Sequence, residues 1–234
     1  MIQVRGVAKY FGRFSALRQL DLAVERGDFV ALFGRNGAGK TTLLRILAGL
    51  TSASAGSVAI ACPEPRSPRD ARGRIGYLAH STVLYGDLTA LENLKFFARL
   101  YDLEGGDGGL SARLAAAGLA GREHDPVRNY SRGMQQRLAI VRAFLHDPDI
   151  LLLDEPFTGL DRQGTAFLKA HLRAAHERGK TCLMAIHDAA LGWELATRLV
   201  VIEKGRVGLD AARADLSLDE FQRRYDALQE PHAR

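Results

Sequence analysis

Cysteine, tryptophan and long apolar runs are scarce in this sequence. Its 234 residues include two cysteines and one tryptophan. Cys62 and Cys182 lie far apart and match no metal-binding spacing, so we expect neither a zinc site nor a disulfide framework, which favours a reducing compartment. Because no run of about 18 apolar residues occurs and residues 1–5 lack a signal-peptide pattern, we expect no membrane-spanning helix and a cytoplasmic location.

Concentrated charge of one sign is also lacking. The formal net charge is +5, but no run of five or more basic residues occurs. Scattered arginines are typical of a solvated surface rather than of a nucleic-acid-binding face. We therefore expect no nucleic-acid partner, while weak attraction to an anionic membrane surface stays open.

The most informative segment is a glycine-rich loop at residues 34–42, which reads GRNGAGKTT. It fits the phosphate-loop pattern G-x-x-x-x-G-K-[ST], with a predicted strand at 29–33 before it and a predicted helix at 41–50 after it. In such a loop Lys40 reaches the β- and γ-phosphates and the Thr41 hydroxyl ligates Mg²⁺. The predicted nucleotide-binding residues of this loop are Gly34, Asn36, Gly37, Ala38, Gly39, Lys40, Thr41 and Thr42.

Strand and helix patterns alternate along the rest of the chain. Near-continuous apolar runs at 75–78, 150–153 and 181–186 are typical of buried parallel strands, and a helix is predicted at 161–178 between two of them. A hairpin-like pair follows around residues 203–206. This order predicts an α/β fold, a P-loop NTPase with a parallel-sheet core, in one domain spanning residues 1–234.

Three further parts are expected around this core. Residues 1–28 and 58–60 predict an N-terminal antiparallel β lobe. Residues 84–146 lack strand signals and predict an inserted α-helical lobe. Its helices are expected to begin with a capping box at 89–92 and to include residues 111–118 and 133–146, with a flexible break at 104–109. Residues 62–72 predict an irregular connection, and residues 210–234 a short extension with a polar helix and a frayed end.

Four chemically capable side chains follow predicted buried strands. Because ligands of open parallel sheets bind beyond the carboxyl ends of the strands, His80, Asp154, Glu155 and His187 are expected near the phosphate loop. Asp154 would hold Mg²⁺, Glu155 would act as general base toward water, and His187 would contact the γ-phosphate, with Lys40 completing the catalytic set.

The order of these motifs resembles the ATPase subunit of ABC transporters over about residues 2–208. Residues 130–137, YSRGMQQR, are similar to the family's signature Leu-Ser-Gly-Gly-Gln, and residues 155–161, EPFTGLD, look like the end of the Walker B motif and the D-loop. His187 matches the switch histidine. Phe11 falls at the adenine-stacking position, and the neighbouring Tyr10 is the alternative for that role.

This resemblance implies a mechanism and partners. Two copies would face each other head to tail, with each ATP between one copy's phosphate loop and the other copy's Ser131 and Gly133, and hydrolysis would release the dimer. The motion would be passed to a separate membrane permease on the cytoplasmic face of the inner membrane. The permease would dock in the groove formed by residues 80–101, where Leu84, Tyr85 and Leu88 are the candidate contacts.

Three positions depart from the family pattern. Arg132 and Met134 replace residues of the signature, and His80 stands where the family usually has the Q-loop glutamine that touches Mg²⁺. We keep His80 as a candidate metal contact. His80, together with LTALENL at residues 88–94, looks like the heme-exporter ATPases of cytochrome c maturation. Another exporter, such as a multidrug exporter, and a soluble ABC-type ATPase that remodels a cytoplasmic complex remain the alternatives.

Overall fold

The computed structural model describes residues 1–61, 73–104 and 106–229. Within these ranges the strands form a three-stranded and a six-stranded sheet. In chain order the strands are β1 (Ile2–Phe11), β2 (Phe14–Val24), β3 (Phe29–Phe33), β4 (Ala55–Ile60), β5 (Ile75–Leu78), β6 (Ile150–Asp154), β7 (Thr181–Ala185), β8 (Arg198–Glu203) and β9 (Arg206–Ala212). The irregular connection predicted for residues 62–72 lies outside the described residues.

The helices of the described ranges separate these strands. They are α1 (Lys40–Leu47), α2 (Ala90–Leu100), α3 (Asp107–Ala116), α4 (Arg132–Ala143), α5 (Arg162–Glu177), α6 (Ala189–Leu195) and α7 (Leu218–Gln229), with short 3₁₀ turns at Val127–Asn129 and Arg213–Asp215. No helix in the described part of the chain combines the length and the apolarity needed to span a bilayer.

The six-stranded sheet is the predicted parallel core. Its strand order is β5-β6-β7-β3-β8-β9, and every pair is parallel except β8 with β9. All residues of β3, β6 and β7 are buried, which explains their near-continuous apolar sequences. Since β6 lies between β5 and β7, the carboxyl ends of these three strands meet at one edge of the sheet.

The two faces of the core sheet pack against different layers. Val30 and Leu32 of β3 join a cluster with α1 and the antiparallel sheet, whereas Phe29 and Phe33 join a second cluster with α5. The three-stranded sheet, in the order β2-β1-β4, is the predicted N-terminal lobe. The pairing of β1 with β2 extends to the tip of the hairpin, where Phe11 faces Phe14.

Helices α2, α3 and α4 pack around Leu94, Leu114 and Leu138. The predicted capping box is confirmed at Thr89 and Glu92. The next helix was predicted at residues 111–118, and both ends of this prediction are wrong. Helix α3 begins at Asp107 and ends at Ala116. Asp107 carries a favourable charge in its first turn and pairs with the Lys95 ammonium at 2.8 Å, and the helix runs on through two glycines of the predicted break.

Three other helix predictions also need correction. Helix α1 ends at Leu47 rather than residue 50, because Gly49 has φ 70° and the Leu50 amide donates to the Arg45 carbonyl at 2.9 Å, which closes the helix end. Helix α4 ends at Ala143 rather than residue 146. Helix α7 was expected to be polar, but its Phe221 is fully buried against Phe33, with ring centroids 4.8 Å apart.

Candidate nucleotide-binding site

The glycine-rich loop connects β3 to α1, as predicted. Gly34 has φ 143°, and a Cβ there would lie 2.3 Å from the Ile202 carbonyl oxygen. Gly39, directly before α1, has φ 112°, and a Cβ there would lie 2.7 Å from the Ala16 carbonyl oxygen. Both positions therefore require glycine, for conformation and for space. The loop brings its backbone N–H groups to the start of α1, an arrangement that suits a phosphate.

Lys40 begins α1 and its side chain turns back over the loop. The ammonium donates to the Gly34 carbonyl oxygen at 2.6 Å and to the Arg35 carbonyl oxygen at 3.3 Å. Burial lowers the pKa of Lys40, and the nearby charges of Glu155 and Asp154 oppose this shift. A cation held this close to two carboxylates and the loop is placed to meet an anionic ligand.

Thr41 and Asp154 form the contact between α1 and β6. The Thr41 hydroxyl donates to Asp154 Oδ1 at 3.0 Å, whereas the buried Asp154 Oδ2 has no hydrogen-bond partner within the described residues. Burial raises the pKa of Asp154, and the hydrogen bond from Thr41 and the charges of His80 and Arg45 offset this shift only in part. A buried carboxylate oxygen without a donor, next to a hydroxyl, is the oxygen-rich donor set that Mg²⁺ prefers. These residues therefore fit the predicted magnesium site.

Glu155 follows β6 in a constrained conformation. Its φ is 51°, uncommon for a residue other than glycine, and its amide donates to the Ala185 carbonyl oxygen at 3.0 Å. The bond to β7 helps to hold the residue in this conformation, so the carboxylate is directed by the backbone. His187 Nε2 lies 2.5 Å from Glu155 Oε1.

The structure brings His80 to the same carboxylate. Its Nδ1 lies 3.6 Å from Glu155 Oε2, within ion-pair range but beyond a hydrogen bond. The side chain is 56% exposed. Glu155 therefore has one histidine beside each of its oxygens.

A cavity of about 200 Å³ opens over the phosphate loop. It is lined by Phe11, Phe14, Ala16, Arg35, Asn36, Gly37, Ala38, Gly39, Lys40, Thr41, Thr42 and Glu155. Phe11, the predicted base contact, is part of this lining and is 53% exposed, whereas Tyr10 is not part of it. Phe14 also lines the cavity and was not predicted from the sequence. The two-residue turn that pairs it with Phe11 was the signal that would have found it.

The signature segment lies elsewhere in the chain. Ser131 caps α4, and its hydroxyl accepts from the Met134 amide at 3.3 Å. A Cβ on Gly133 would lie 3.5 Å from the Gly159 carbonyl oxygen, so the segment packs beside residues 156–159. Neither Ser131 nor Gly133 lines the phosphate-loop cavity. One copy of the chain therefore does not bring its own signature to its own phosphate loop.

The predicted docking groove contains an exposed aromatic pair. Tyr85 is 49% exposed, and its ring centroid lies 4.9 Å from that of Phe96, which is 37% exposed. Leu84 and Leu88 are only partly buried. Phe96 was not predicted from the sequence, although its position on α2, away from the buried Leu91 and Leu94, was a signal for its exposure.

Comparison with known proteins agrees with this geometry. The family model described as ABC transporter matches residues 17–158. Nod factor export ATP-binding protein I of Cupriavidus pinatubonensis is 39% identical over 211 residues, which are 88% of this chain and 64% of that protein. A solved ATP-binding subunit of an ABC transporter superposes with a TM-score of 0.87 and 27% identity, covering 98% of this chain and 100% of the other.

A second solved structure is a dimeric ATP-binding cassette in a post-hydrolysis state with ADP and Pi bound. It superposes with a TM-score of 0.79 and 26% identity, covering 91% of this chain and 99% of the other. The chain thus spans less than two thirds of the Nod factor relative but nearly all of both solved domains. The chain belongs to the ABC transporter family and carries its ATP-binding ATPase domain.

Proposed function

We propose that this chain hydrolyses ATP to drive an ABC exporter whose membrane-spanning part is a separate subunit. The observation that carries the proposal is the convergence of Lys40, Thr41 and Glu155 on one cavity. The buried Asp154 lies behind this lining, in hydrogen-bond contact with the Thr41 hydroxyl. A cation, a cation-binding oxygen pair and a carboxylate are the groups that nucleotide hydrolysis requires.

Each side chain has a distinct task in this proposal. Lys40 leaves its loop carbonyls to contact the β- and γ-phosphates. Glu155 accepts a proton from water while the water oxygen forms a bond to the γ-phosphorus. The bond from that phosphorus to the bridging oxygen breaks, and its electron pair stays with ADP. His187 holds Glu155 Oε1 and contacts the γ-phosphate.

Thr41 and Asp154 are the residues that would hold Mg²⁺. The ion, when bound, neutralises charge on the phosphates. The unpartnered, buried Asp154 Oδ2 supports this assignment, because only a cation or a donor would compensate it.

A second copy of the chain completes the site in this proposal. The separation of Ser131 and Gly133 from the phosphate-loop cavity of the same chain supports a head-to-tail dimer. In that dimer the N-terminus of α4 in one copy faces the γ-phosphate held by the other copy, where its N–H groups and dipole are favourable for the anion. ATP then joins the two copies, and hydrolysis separates them.

The membrane subunit would dock on the groove at residues 80–101. The exposed pair of Tyr85 and Phe96 supports this, since exposed aromatic side chains are frequent anchors of protein interfaces. This contact would place the chain peripherally at the cytoplasmic face of the cell membrane. Replacing Tyr85 and Phe96 by Ala should abolish co-purification with the membrane subunit, whereas replacing the more exposed Leu50 by Ala should not.

The exported substrate is a finer hypothesis. Heme export is suggested by His80 and by LTALENL at residues 88–94. The comparisons give it no support, because the relative reported above is named for Nod factor export. Co-expression with the membrane subunit that co-purifies with this chain, followed by transport of heme into vesicles, tests the hypothesis. A complex with soluble proteins alone would favour the remodelling ATPase instead.

Phosphate release by the purified chain tests the central proposal. Glu155→Gln should lower the rate about 10²-fold or more and retain ATP binding, because the amide cannot accept the proton. Glu177→Gln, an exposed acid on α5, is the matched control and should leave turnover unchanged. Equal turnover of Glu155→Gln and the wild type would remove Glu155 from the mechanism.

A further inference from the structure

The two histidines reach Glu155 from opposite sides because of the sheet order. Glu155 follows β6, which lies between β5 and β7. In the parallel register Leu78 of β5 is paired with Leu153, so His80, two residues later, is level with Glu155. On the other side Ala185 of β7 is paired with Asp154, and His187 follows shortly after. The backbone therefore fixes which side of the carboxylate each histidine approaches.

The contacts divide between the two carboxylate oxygens. His187 Nε2 lies 2.5 Å from Oε1, and His80 Nδ1 lies 3.6 Å from Oε2. The terminal torsion of a glutamate side chain has a broad, roughly two-fold energy profile, so a carboxylate held at one oxygen keeps rotational freedom. A second group beside the other oxygen restricts the rotation of the carboxylate and does not need to contact the substrate.

The magnesium donor set is a separate pair of atoms. Thr41 Oγ1 and Asp154 Oδ1 contact each other, and Asp154 Oδ2 is the buried, unpartnered oxygen. Among the described residues, the side-chain contact that the structure gives His80 is with Glu155, at 3.6 Å from Nδ1 to Oε2, and not with Thr41 or Asp154. Its position therefore favours a contact with the general base over a contact with the metal.

We infer that His80 is a positioning residue for Glu155, beside Oε2 and opposite His187 at Oε1. It restricts rotation of the carboxylate, so that a remaining lone pair of the carboxylate is directed at the attacking water. This inference rests on the proposed ATP hydrolysis and revises the candidate role of His80 as a metal contact. His80 and His187 together restrict the conformation of the Glu155 side chain. Loss of His80 slows the chemical step and leaves nucleotide binding intact.

Steady-state hydrolysis by His80→Ala tests the inference. We expect kcat to fall about tenfold, less than the roughly 10²–10⁴-fold loss expected on removing a general base. The KM for ATP and the Mg²⁺ concentration for half-maximal rate should each change less than about twofold. His80→Gln should recover most of the rate, because its amide N–H can donate to the same oxygen. His124→Ala, which removes an exposed histidine outside both the cavity and the docking groove, is the matched control.

A second comparison separates positioning from other roles. In a Glu155→Ala background there is no carboxylate to hold, so adding His80→Ala should not lower the residual single-turnover rate further. A tenfold loss that persists in that background, or a raised Mg²⁺ requirement, would overturn the inference. So would an unchanged kcat, provided that thermal unfolding shows the variant to be folded. An inactive wild type would instead refute the proposed hydrolysis itself, and the inference with it.

Discussion

Thr41 and Asp154 are 113 residues apart in sequence, yet the Thr41 hydroxyl donates to Asp154 Oδ1 at 3.0 Å. This contact joins α1, which follows the phosphate loop, to β6, and the second oxygen of Asp154 is buried with no hydrogen-bond partner in the described part of the chain. The carboxylate is therefore a functional group maintained at a cost in stability.

Asp154→Asn should expose that cost. Burial raises the pKa of Asp154, so its ionised form destabilises the folded chain at pH 7, and the neutral amide should raise the unfolding temperature in the absence of nucleotide and metal. The same variant should lose the further stabilisation that Mg²⁺ and ATP give the wild type. Differential scanning fluorimetry with and without Mg²⁺ and ATP measures both. A lower unfolding temperature without ligands would contradict the argument.

The predicted stacking of an aromatic side chain on the nucleotide base is tested with two adjacent residues of nearly equal exposure. Phe11 is 53% exposed and lines the cavity, whereas Tyr10 is 52% exposed and does not. Phe11→Ala should raise the Kd of a fluorescent ATP analogue at least roughly fivefold, because a base stacked on a ring contributes about 1 kcal/mol or more. Tyr10→Ala should change it less than twofold. A larger effect at Tyr10 would reassign the contact. Phe14→Ala should also weaken binding, since Phe14 is paired with Phe11 in the β1–β2 ladder and lines the same cavity.

Cysteine crosslinking tests the head-to-tail dimer. Asn36 in the phosphate loop and Ser131 before α4 are both exposed. With Asn36→Cys and Ser131→Cys in a Glu155→Gln, Cys62→Ser background, oxidation with ATP and Mg²⁺ should give a covalent dimer, and oxidation without ATP should not. Cys182 is buried and can stay in place. The two single-cysteine variants are the controls. Crosslinking of either single variant to the same extent would indicate another dimer geometry.

Acid sensitivity should arise in part from His146. Its ring stacks on Tyr101, with centroids 3.8 Å apart, and burial lowers its pKa from 6.5 to about 4. Because the folded-state pKa lies below the unfolded value, the proton binds the unfolded chain more tightly. The contribution of neutral His146 to the free energy of unfolding is therefore complete above pH 6.5 and is lost as the pH falls toward 4.

His146→Phe, which keeps a ring for stacking, should remove that part of the pH dependence, roughly 2 kcal/mol between pH 6.5 and 4. Urea unfolding at several pH values measures it. An identical slope in both proteins would show that His146 does not carry the effect.

The sequence alone was sufficient to predict the short motifs that form the candidate site. The phosphate loop, the apolar strands and the carboxylates of Asp154 and Glu155 were found because each depends on a short run of residues whose spacing has a direct physical meaning. Helix ends were less predictable. Helix α3 continues through Gly108 and Gly109 because packing of the helical lobe outweighs weak local propensity.

Only the tertiary structure decided which residues that are distant in sequence lie next to each other. The adjacency of β5, β6 and β7 places His80 and His187 on either side of Glu155, and the β1–β2 tip adds Phe14 to the cavity. Burial of Phe221 against Phe33 likewise makes a polar-looking helix part of the core. Strand order and packing depend on the whole chain, because contacts far apart in sequence compete for the same buried surface, and no local pattern records which of them prevails.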